Sequence, residues 1–299
     1  MSGSNDERTC PACDGVVLED GLCRVENDSD SLPARCVGLW SDDKLFYLKR
    51  YADILAKGMK NKWPNRVYLD LFAGPGRCRI RPTREFVDGS PALALKLPFT
   101  HYHFGDLSSS VTAALESRVG ATPLEGRSVR IWTDDANKLA PLLRDEVVRL
   151  GRETLAFAFI DPPGIEMAFE SIRTLTQGLP VDLLINFPLG MNIKRQVRHR
   201  LASTKADDPF DAYFGGPEWR DACEENTGGV PFGPRLLELY KSKLRSIGYK
   251  YVGDERVVKD RKRNAAYYIL VFASKHPKGE EFWTKITKDE PSGQRGLPF

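Results

Sequence analysis

The chain has few of the features that mark membrane, secreted or histidine-dependent proteins. No apolar run in its 299 residues approaches the ~18 residues that a transmembrane helix needs. The N-terminus, Met-Ser-Gly-Ser-Asn-Asp-Glu-Arg, is polar and lacks the apolar core of a secretory signal. Histidine is scarce, and His101, His103 and His199 show neither metal-ligand nor catalytic-triad spacing. These absences predict a cytoplasmic protein without a membrane span.

The composition also lacks a strong bias. Hydrophobic residues make up 41% and charged residues 28% of the chain, which is ordinary for a globular protein that buries a core. The formal net charge of +3 is mildly basic. It permits a nucleic-acid partner without requiring one, because dedicated nucleic-acid-binding domains are usually more basic.

Four of the six cysteines are crowded near the N-terminus, at Cys10, Cys13, Cys23 and Cys36. Disulfides rarely persist in a reducing compartment, so this clustering favours a metal. Cys10-Pro-Ala-Cys13 has the spacing of a zinc knuckle, whereas Cys23 and Cys36 must converge through a loop. The sequence therefore predicts one structural zinc ion; the alternative is a loose polar tail with free thiols.

From Trp40 onward, apolar strands alternate with helical patterns, which is typical of a parallel sheet covered by helices on both faces. Two further strands, joined by the charged turn 259–263, predict an antiparallel hairpin at the sheet edge. The expected fold is α/β and Rossmann-like, with a seven-stranded, mostly parallel sheet. Its strands are predicted at 67–72, 101–105, 129–132, 155–160, 181–187, 249–258 and 265–274.

The domain organisation follows from the change of residue pattern near position 40. Residues 1–39 are predicted to form a short cysteine-containing extension, and residues 40–299 the α/β domain. The stretch 189–233 contains no predicted strand and is too long for a simple loop, so we expect an insertion with local helix.

The first predicted strand runs into a glycine-rich turn, Asp70-Leu-Phe-Ala-Gly74-Pro-Gly76-Arg77. Glycines let the backbone turn tightly and approach a ligand. A dinucleotide-binding turn needs G-x-G-x-x-G, but Arg79 occupies the third glycine position. A nucleotide-dependent oxidoreductase is therefore disfavoured.

The pattern D-x-F-x-G-x-G resembles class I methyltransferases, which implies S-adenosylmethionine as the cofactor. The resemblance places Asp70 against the amino group of the methionine moiety, with Phe72, Gly74 and Gly76 forming the turn. Further carboxylates follow the next two strands. Asp106 is expected at the ribose hydroxyls, and either Asp134 or Asp135 at the adenine amino group, with the other one capping a helix. Carboxylates at consecutive strand ends predict a pocket.

The fourth strand ends in Asp161-Pro162-Pro163-Gly164, which resembles the D-P-P-Y motif of methyltransferases that act on amino groups of adenine or cytosine. In that motif the carboxylate and a nearby carbonyl orient the acceptor amine, and the prolines stiffen the turn. Asn186, at the end of the fifth strand, is a further catalytic candidate. Gly164 replaces the aromatic residue that would stack on a flipped base, so base specificity is in doubt.

Two other aromatic residues are candidates for that missing stacking face, namely Phe187 and Phe169. Basic residues follow strand ends as well, where they can contact phosphates. The predicted nucleic-acid contacts are Arg77, Arg79, Lys194, Arg195 and Arg198.

Several stretches share the pattern of one family. They are 32–40, 68–77, Gly89-Ser90-Pro91, 159–164, 182–188, Ser274-Lys-His-Pro277 and Phe282-Trp283. In combination they resemble the three-Cys-motif partner protein family. The resemblance implies a class I methyltransferase-like fold and a partner protein with a three-cysteine, radical-SAM-like motif. Those cysteines belong to the partner, so they do not explain Cys10 to Cys36 here.

The sequence thus leads to two functional hypotheses. The first is a methyltransferase that uses S-adenosylmethionine to modify an amino nitrogen, on a nucleic-acid base. The alternative is a non-catalytic, cofactor-binding partner subunit of a radical-SAM-like protein. The strand-end carboxylates favour the enzyme, and the aromatic missing after Asp161-Pro-Pro favours the subunit.

Overall fold

A computed structural model describes residues 9–10, 13–18, 22–24, 30–81, 83–202, 208–224, 231–260, 265–289 and 291. The strands are β1 (Val16–Val17), β2 (Leu22–Arg24), β3 (Ala34–Val37), β4 (Asn65–Asp70), β5 (Arg77–Ile80), β6 (Phe86–Asp88), β7 (His101–Asp106), β8 (Ser128–Thr133), β9 (Thr154–Ile160), β10 (Val181–Phe187), β11 (Tyr251–Asp260) and β12 (Ala265–Ser274). The helices are α1 (Trp40–Gly58), α2 (Ser90–Leu95), α3 (Ser109–Gly120), α4 (Ala136–Arg149), α5 (Phe169–Thr176), α6 (Lys194–Leu201), α7 (Pro209–Phe214), α8 (Trp219–Glu224), α9 (Phe232–Ser246) and α10 (Pro277–Ile286).

The larger sheet, which we call the main sheet, has seven strands within the described residues. Its order is β8-β7-β4-β9-β10-β12-β11, and its first five strands are parallel. β12 runs antiparallel to both β10 and β11. The Rossmann-like fold with a C-terminal antiparallel hairpin is therefore confirmed. β4 ends at Asp70 rather than at the predicted residue 72, so the turn begins directly after this carboxylate.

The main sheet is buried on both faces because its side chains alternate between two apolar cores. On β9, Ala156, Ala158 and Ile160 point into one core, and Phe157 and Phe159 into the other. The first core packs under α4, α5, α7 and α9, and the second under α1, α2 and α10. Burial on both faces explains the nearly continuous apolar runs of these strands.

A second sheet, the small sheet, was not predicted. Within the described residues it has five strands in the order β1-β2-β3-β5-β6. β3 pairs in parallel with β5, so that Arg35 lies opposite Cys78 and Cys36 opposite Arg79. The cysteine-bearing segment is therefore joined by backbone hydrogen bonds to the chain that follows the glycine turn.

The stretch 189–233 is helical where the structure describes it. It begins with a π-helical turn, Leu189–Ile193, and continues through α6, α7 and α8. Residues 203–207 and 225–230 of the expected insertion lie outside the described residues. Among the helices of the described part, none is both long enough and apolar enough to cross a bilayer.

Candidate functional site

A cavity opens at the carboxyl edge of the main sheet, where the strand order reverses. β7 and β8 extend the sheet on one side of β4, and β9 and β10 on the other. Open α/β sheets bind ligands at such a switch point. The cavity measures about 410 Å³, which is the size of a small-molecule site. We call it the carboxyl-edge cavity. It is lined by Arg35, Cys36, Val37, Trp40, Ser41, Lys44, Leu71, Phe72, Arg81, Asp106, Leu107, Asp135, Ala136, Asp161, Pro162, Pro163, Glu166 and Tyr268.

The glycine turn after β4 has the backbone that only glycine adopts easily. Gly74 and Gly76 have φ angles of +67° and +82°. The backbone N–H of Gly74 donates to Oδ2 of Asp106 over 3.1 Å, which ties the turn to the end of β7. A side chain on Gly89 would lie 3.1 Å from the carbonyl carbon of Gly76. The turn is thus fixed from two sides, directly behind Phe72 in the cavity wall.

Asp70 lies beneath this turn and is fully buried. Its Oδ1 accepts from the backbone N–H of Phe72 at 3.3 Å, and its Oδ2 from the hydroxyl of Tyr68 at 3.4 Å. Burial raises the pKa of Asp70 to about 7, and the neighbouring Asp161 carboxylate adds to the rise. An ammonium group arriving at this carboxylate would stabilise its ionised form.

Asp106 and Leu107 form one end of the cavity. Asp106 Oδ1 accepts from the backbone N–H of Ser108 at 3.2 Å, while its Oδ2 holds Gly74. Leu107 is 71% exposed, an unusual exposure for a large apolar side chain. Together with Phe72 it offers an apolar surface for one face of an aromatic ring. The sequence reasoning identified Asp106 and missed Leu107.

The structure distinguishes Asp134 from Asp135. Asp135 lines the cavity and also caps α4, because its Oδ1 accepts from the backbone N–H of Asn137 at 2.8 Å. Asp134 instead points to the exterior, where Lys138 lies 3.3 Å from its Oδ1. Asp135 is thus both the predicted helix cap and the one of the two aspartates that lines the cavity, and the adenine contact stays a prediction.

Asp161 is the centre of a hydrogen-bonded cluster at the other end of the cavity. Lys44 Nζ lies 2.5 Å from its Oδ2, and Asn186 Nδ2 donates to its Oδ1 over 2.6 Å. Burial alone would lower the pKa of Lys44, but the adjacent Asp161 carboxylate more than offsets this, so the pKa is raised and the ammonium is retained. Asn186 is 1% exposed, and its Oδ1 has no hydrogen-bond partner among the described residues.

The turn after Asp161 is stiff, as its two prolines predict. Pro162 and Pro163 both line the cavity, and the backbone N–H of Gly164 donates to Oε2 of Glu166 over 2.7 Å. Phe187 and Phe169, which were expected to supply a stacking face, instead pack against Tyr240 in the core. That expectation is wrong. Phe187 faces the core because successive strand residues point to opposite faces and Asn186 takes the face toward Asp161. Phe169 begins α5, which packs it into the same core.

Two other aromatic residues line the cavity. Tyr268 on β12 lies with its ring centroid 5.9 Å from Lys44 Nζ. Trp40, at the start of α1, stacks on Tyr267 with a centroid separation of 4.7 Å. Trp40 is also covered by the chain at Gly38, where a Cβ would fall 1.9 Å from the indole ring. The edge of Trp40, rather than a free face, therefore borders the site.

The four N-terminal cysteines converge as the zinc hypothesis requires. The Sγ atoms of Cys10, Cys13, Cys23 and Cys36 all lie within 4.8 Å of one another. Four sulfur atoms at ~2.3 Å from a tetrahedral zinc ion are separated by roughly 3.8 Å, so the donor set fits the metal. Burial and the neighbouring thiols raise the pKa of Cys23 to about 12 and also raise that of Cys36. Without a cation, these thiols would stay protonated.

The predicted nucleic-acid contacts are not brought together. Arg77 and Arg79 both stack near Phe86, each with the guanidinium carbon 5.1 Å from the ring centroid. Neither lines the carboxyl-edge cavity, and Arg79 also donates to the carbonyl of Cys13 over 2.7 Å. Lys194, Arg195 and Arg198 are exposed on α6. The arginines that do line the cavity are Arg35 and Arg81.

The residues that sequence reasoning missed come from distant segments. Lys44 and Asp161 are separated by 117 positions, and Tyr268 lies on the last strand of the main sheet. One signal was present: Trp40, Ser41 and Lys44 recur at helical spacing, and all three line the cavity. A tryptophan, a serine and a lysine thus share one face at the N-terminal end of α1.

Comparison with known proteins adds support for the fold. No family model and no curated protein sequence matches the chain. A DUF519-family protein from Legionella pneumophila str. Philadelphia 1 matches with a TM-score of 0.51 and 11% identity, over 85% of this chain and 94% of that one. A DUF574-family protein from Streptomyces avermitilis matches at TM-score 0.45 and 16% identity, over 79% and 83%. TYW2 from P. horikoshii, in complex with MeSAdo, matches at TM-score 0.38 and 11% identity, over 86% and 73%.

Of these three, the first alone exceeds a TM-score of 0.5, and at its low identity it shows a shared fold. The sheet order places this chain in the Rossmann-like α/β class with the strand arrangement that the methyltransferase resemblance predicts. The chemistry has to be argued from the side chains of the site.

Proposed function

We propose that this protein is an S-adenosylmethionine-dependent methyltransferase that acts on an amino nitrogen of a nucleic-acid base. The observation that carries the proposal is the pairing of Asp161 with Asn186 beside a cavity that also holds Asp106 and Asp135. One end of the site offers carboxylates to a nucleoside, and the other offers hydrogen-bond acceptors to an amine.

The cofactor end fits S-adenosylmethionine, which would supply an activated methyl group when bound. Asp106 would accept from the ribose hydroxyls, and Asp135 from the adenine amino group. Leu107 and Phe72 would cover the adenine ring, which explains why an apolar side chain is 71% exposed at the cavity. Buried Asp70 and the positive-φ glycines would hold the amino-acid part of the cofactor.

The acceptor end has two hydrogen-bond acceptors for the two N–H groups of an amine. A carboxylate has about four lone-pair positions, and Lys44 and Asn186 occupy two of those on Asp161. The buried Oδ1 of Asn186, which has no hydrogen-bond partner among the described residues, would be the second acceptor for an amine that reaches Asp161. Together they would orient the nitrogen lone pair. Lys44 is not itself the methyl acceptor, because its ammonium form has no lone pair.

The cysteine cluster would hold one structural zinc ion in the small sheet. The exposed cations on α6, Lys194, Arg195 and Arg198, would contact phosphates of a nucleic acid outside the cavity. The resemblance to the three-Cys-motif partner family supports a protein partner with a radical-SAM-like motif, within the cytoplasm.

One observation favours the alternative, a cofactor-binding partner subunit without methyltransferase activity. Asp161 is already engaged by Lys44 and Asn186. In that case the site would bind S-adenosylmethionine but transfer no methyl group.

Transfer of tritiated methyl groups from labelled S-adenosylmethionine to DNA, RNA and protein extracts tests the proposal. We expect Asp161→Ala to reduce labelling of nucleic acid by about 10²–10³-fold, as for loss of one positioned hydrogen-bonding group. The thermal shift caused by S-adenosylhomocysteine should persist in this variant. Asp145→Ala, an exposed aspartate of α4, is the matched control and should label normally.

Several results would contradict the proposal. If the wild-type protein labels nothing, with or without the partner protein, while still binding the cofactor, the binding subunit replaces the enzyme. If only protein is labelled, the proposed nucleic-acid substrate is wrong. An Asp161→Ala variant as active as the wild type would show that the acceptor lies elsewhere.

A further inference from the structure

Lys44 places a positive charge in the site that, in the proposed function, holds a cationic cofactor. Its Nζ lies 2.5 Å from Asp161 Oδ2, and the two side chains are only 13% and 18% exposed. Partly buried charges are screened much less by salt and water than exposed ones. The pair therefore contributes strongly to the electrostatic field at the acceptor end of the cavity.

The ion pair is placed by two different elements. Lys44 extends from α1, one turn after Trp40, and Asp161 directly follows β9 of the main sheet. Asn186 fixes the other oxygen of the same carboxylate over 2.6 Å. The carboxylate therefore faces two donors in a fixed geometry, and its charge is compensated before any ligand arrives.

This compensation matters because the cofactor changes its charge during the reaction. S-adenosylmethionine carries a sulfonium cation, whereas S-adenosylhomocysteine carries a neutral sulfur. The methyl carbon lies between the sulfur and the acceptor atom, so a carboxylate that orients the acceptor also acts on the sulfonium. An unpaired carboxylate would therefore attract the sulfonium of S-adenosylmethionine but not the neutral sulfur of S-adenosylhomocysteine, and the two forms would bind with different affinities.

We propose that Lys44 is a positioning residue that neutralises Asp161, so that the site does not bind the sulfonium form of the cofactor preferentially. This inference rests on the proposed function, because it requires S-adenosylmethionine in the carboxyl-edge cavity. Lys44 thereby leaves the hydrogen-bonding capacity of Asp161 available to the acceptor while it cancels the attraction of the carboxylate for the sulfur.

Calorimetric titration of S-adenosylmethionine and S-adenosylhomocysteine into purified protein measures this directly, without any turnover. The quantity of interest is the ratio of the two affinities. Lys44→Met keeps the length of the side chain and removes its charge, so we expect the preference for S-adenosylmethionine to rise about tenfold or more. Lys44→Arg keeps the charge and should restore a ratio within about twofold of wild type.

Two further variants exclude a merely structural effect. Asp161→Asn leaves the Lys44 cation uncompensated, so the ratio should move the opposite way and favour S-adenosylhomocysteine. The double variant Lys44→Met with Asp161→Asn carries no charge at this position and should return to the wild-type ratio. A packing defect would weaken both ligands alike and would not change sign between the two single variants.

The outcomes separate this inference from the function it rests on. If both ligands bind the wild type but Lys44→Met and Asp161→Asn leave the ratio unchanged, the role of Lys44 is refuted and the methyltransferase proposal stands. If the wild-type protein binds neither ligand, both are overturned. If a thermal melt shows that Lys44→Met does not fold, the Asp161→Asn and double variants still show in which direction the affinity ratio changes.

Discussion

The two sheets of this molecule are held together by different forces. The main sheet buries apolar side chains on both faces, and strands such as β9 are buried along their whole length. Among the described residues, the small sheet has a core of Cys10, Cys13 and Cys23, with Val17 and Cys36 packed beside it. Its strands also bury Leu22, Ala34 and Ile80, and polar contacts such as that of Arg118 with Asp30 attach the neighbouring segment to α3. The main sheet can therefore lose one side chain and remain folded, whereas the small sheet depends on a few groups that act together.

The largest effect should come from the cysteine cluster. Cys13→Ser removes a buried ligand, and structural zinc sites contribute on the order of 10 kcal/mol of binding free energy. We expect the wild-type protein to carry one equivalent of zinc, and the variant to carry little. Limited proteolysis should then cut the chain before Trp40, while fragments of the main sheet stay protected.

Cys223→Ser is the control, because Cys223 lies in α8 and far from the cluster in the fold. Zinc content and the protease pattern should match the wild type. A metal-free wild-type protein whose N-terminal region resists protease would show that the small sheet is held without a metal.

The buried carboxyl group of Asp70 in the main sheet should make the free energy of unfolding depend on pH. The pKa of Asp70 is raised to about 7 by burial, while an unfolded aspartate titrates near ~3.9. Stability is therefore greatest below the unfolded pKa and is lost as pH rises toward 7. The loss approaches ~4 kcal/mol, at about 1.4 kcal/mol per pKa unit.

Urea unfolding at about pH 4.5 and about pH 7.5 checks this linkage. The wild type should lose stability between the two values relative to Asp70→Asn, which cannot ionise at this position. Equal pH profiles for the two proteins would mean that Asp70 is ionised in the native state. Saturating S-adenosylhomocysteine, whose ammonium favours the carboxylate, should reduce the difference.

A smaller effect on stability should follow from removing the side chain of Arg118, which joins α3 to the segment that precedes β3. Arg118 on α3 forks onto Asp30 at 2.7 and 3.0 Å, and donates to the carbonyls of Pro33 and Pro75 at 2.8 and 2.6 Å. Arg118→Met leaves these acceptors unpaired and should cost about 3 kcal/mol. Arg118→Lys keeps the positive charge but lacks the planar guanidinium that donates to both Asp30 oxygens. It should therefore restore only part of the lost stability.

Differential scanning fluorimetry with and without S-adenosylhomocysteine measures both the loss of stability and the effect on ligand binding. The melting temperature should fall, and the ligand-induced shift should shrink because Pro75 belongs to the glycine turn. A full ligand shift in Arg118→Met would show that the turn keeps its shape without this contact.

The sequence predicted the main sheet well because its periodicities are local. Asp70, Asp106 and Asp161 were found by their position at the end of apolar runs, and parallel strands bring such ends to one edge. The small sheet was missed because its strands are two to four residues long in the described part, too short to show a period.

The site was predicted less completely because its specificity comes from distant contacts. Nothing near Asp161 in the sequence indicates Lys44 as its partner. Likewise, Arg35 and Arg81 reach the cavity only because β3 pairs with β5, whereas Arg77 and Arg79 sit in the same strand region but outside the cavity. The choice between Asn186 and Phe187 depended on strand register, which a single apolar run does not reveal.

Cys36 belongs to two places at once, since its Sγ lies in the cysteine cluster and the residue also lines the carboxyl-edge cavity. Occupancy of the two sites is therefore subject to thermodynamic reciprocity. If metal loading changes the affinity for a nucleoside ligand by some factor, that ligand must change the affinity for the metal by the same factor. A titration of the metal, performed without and then with each candidate nucleoside ligand, would measure this coupling.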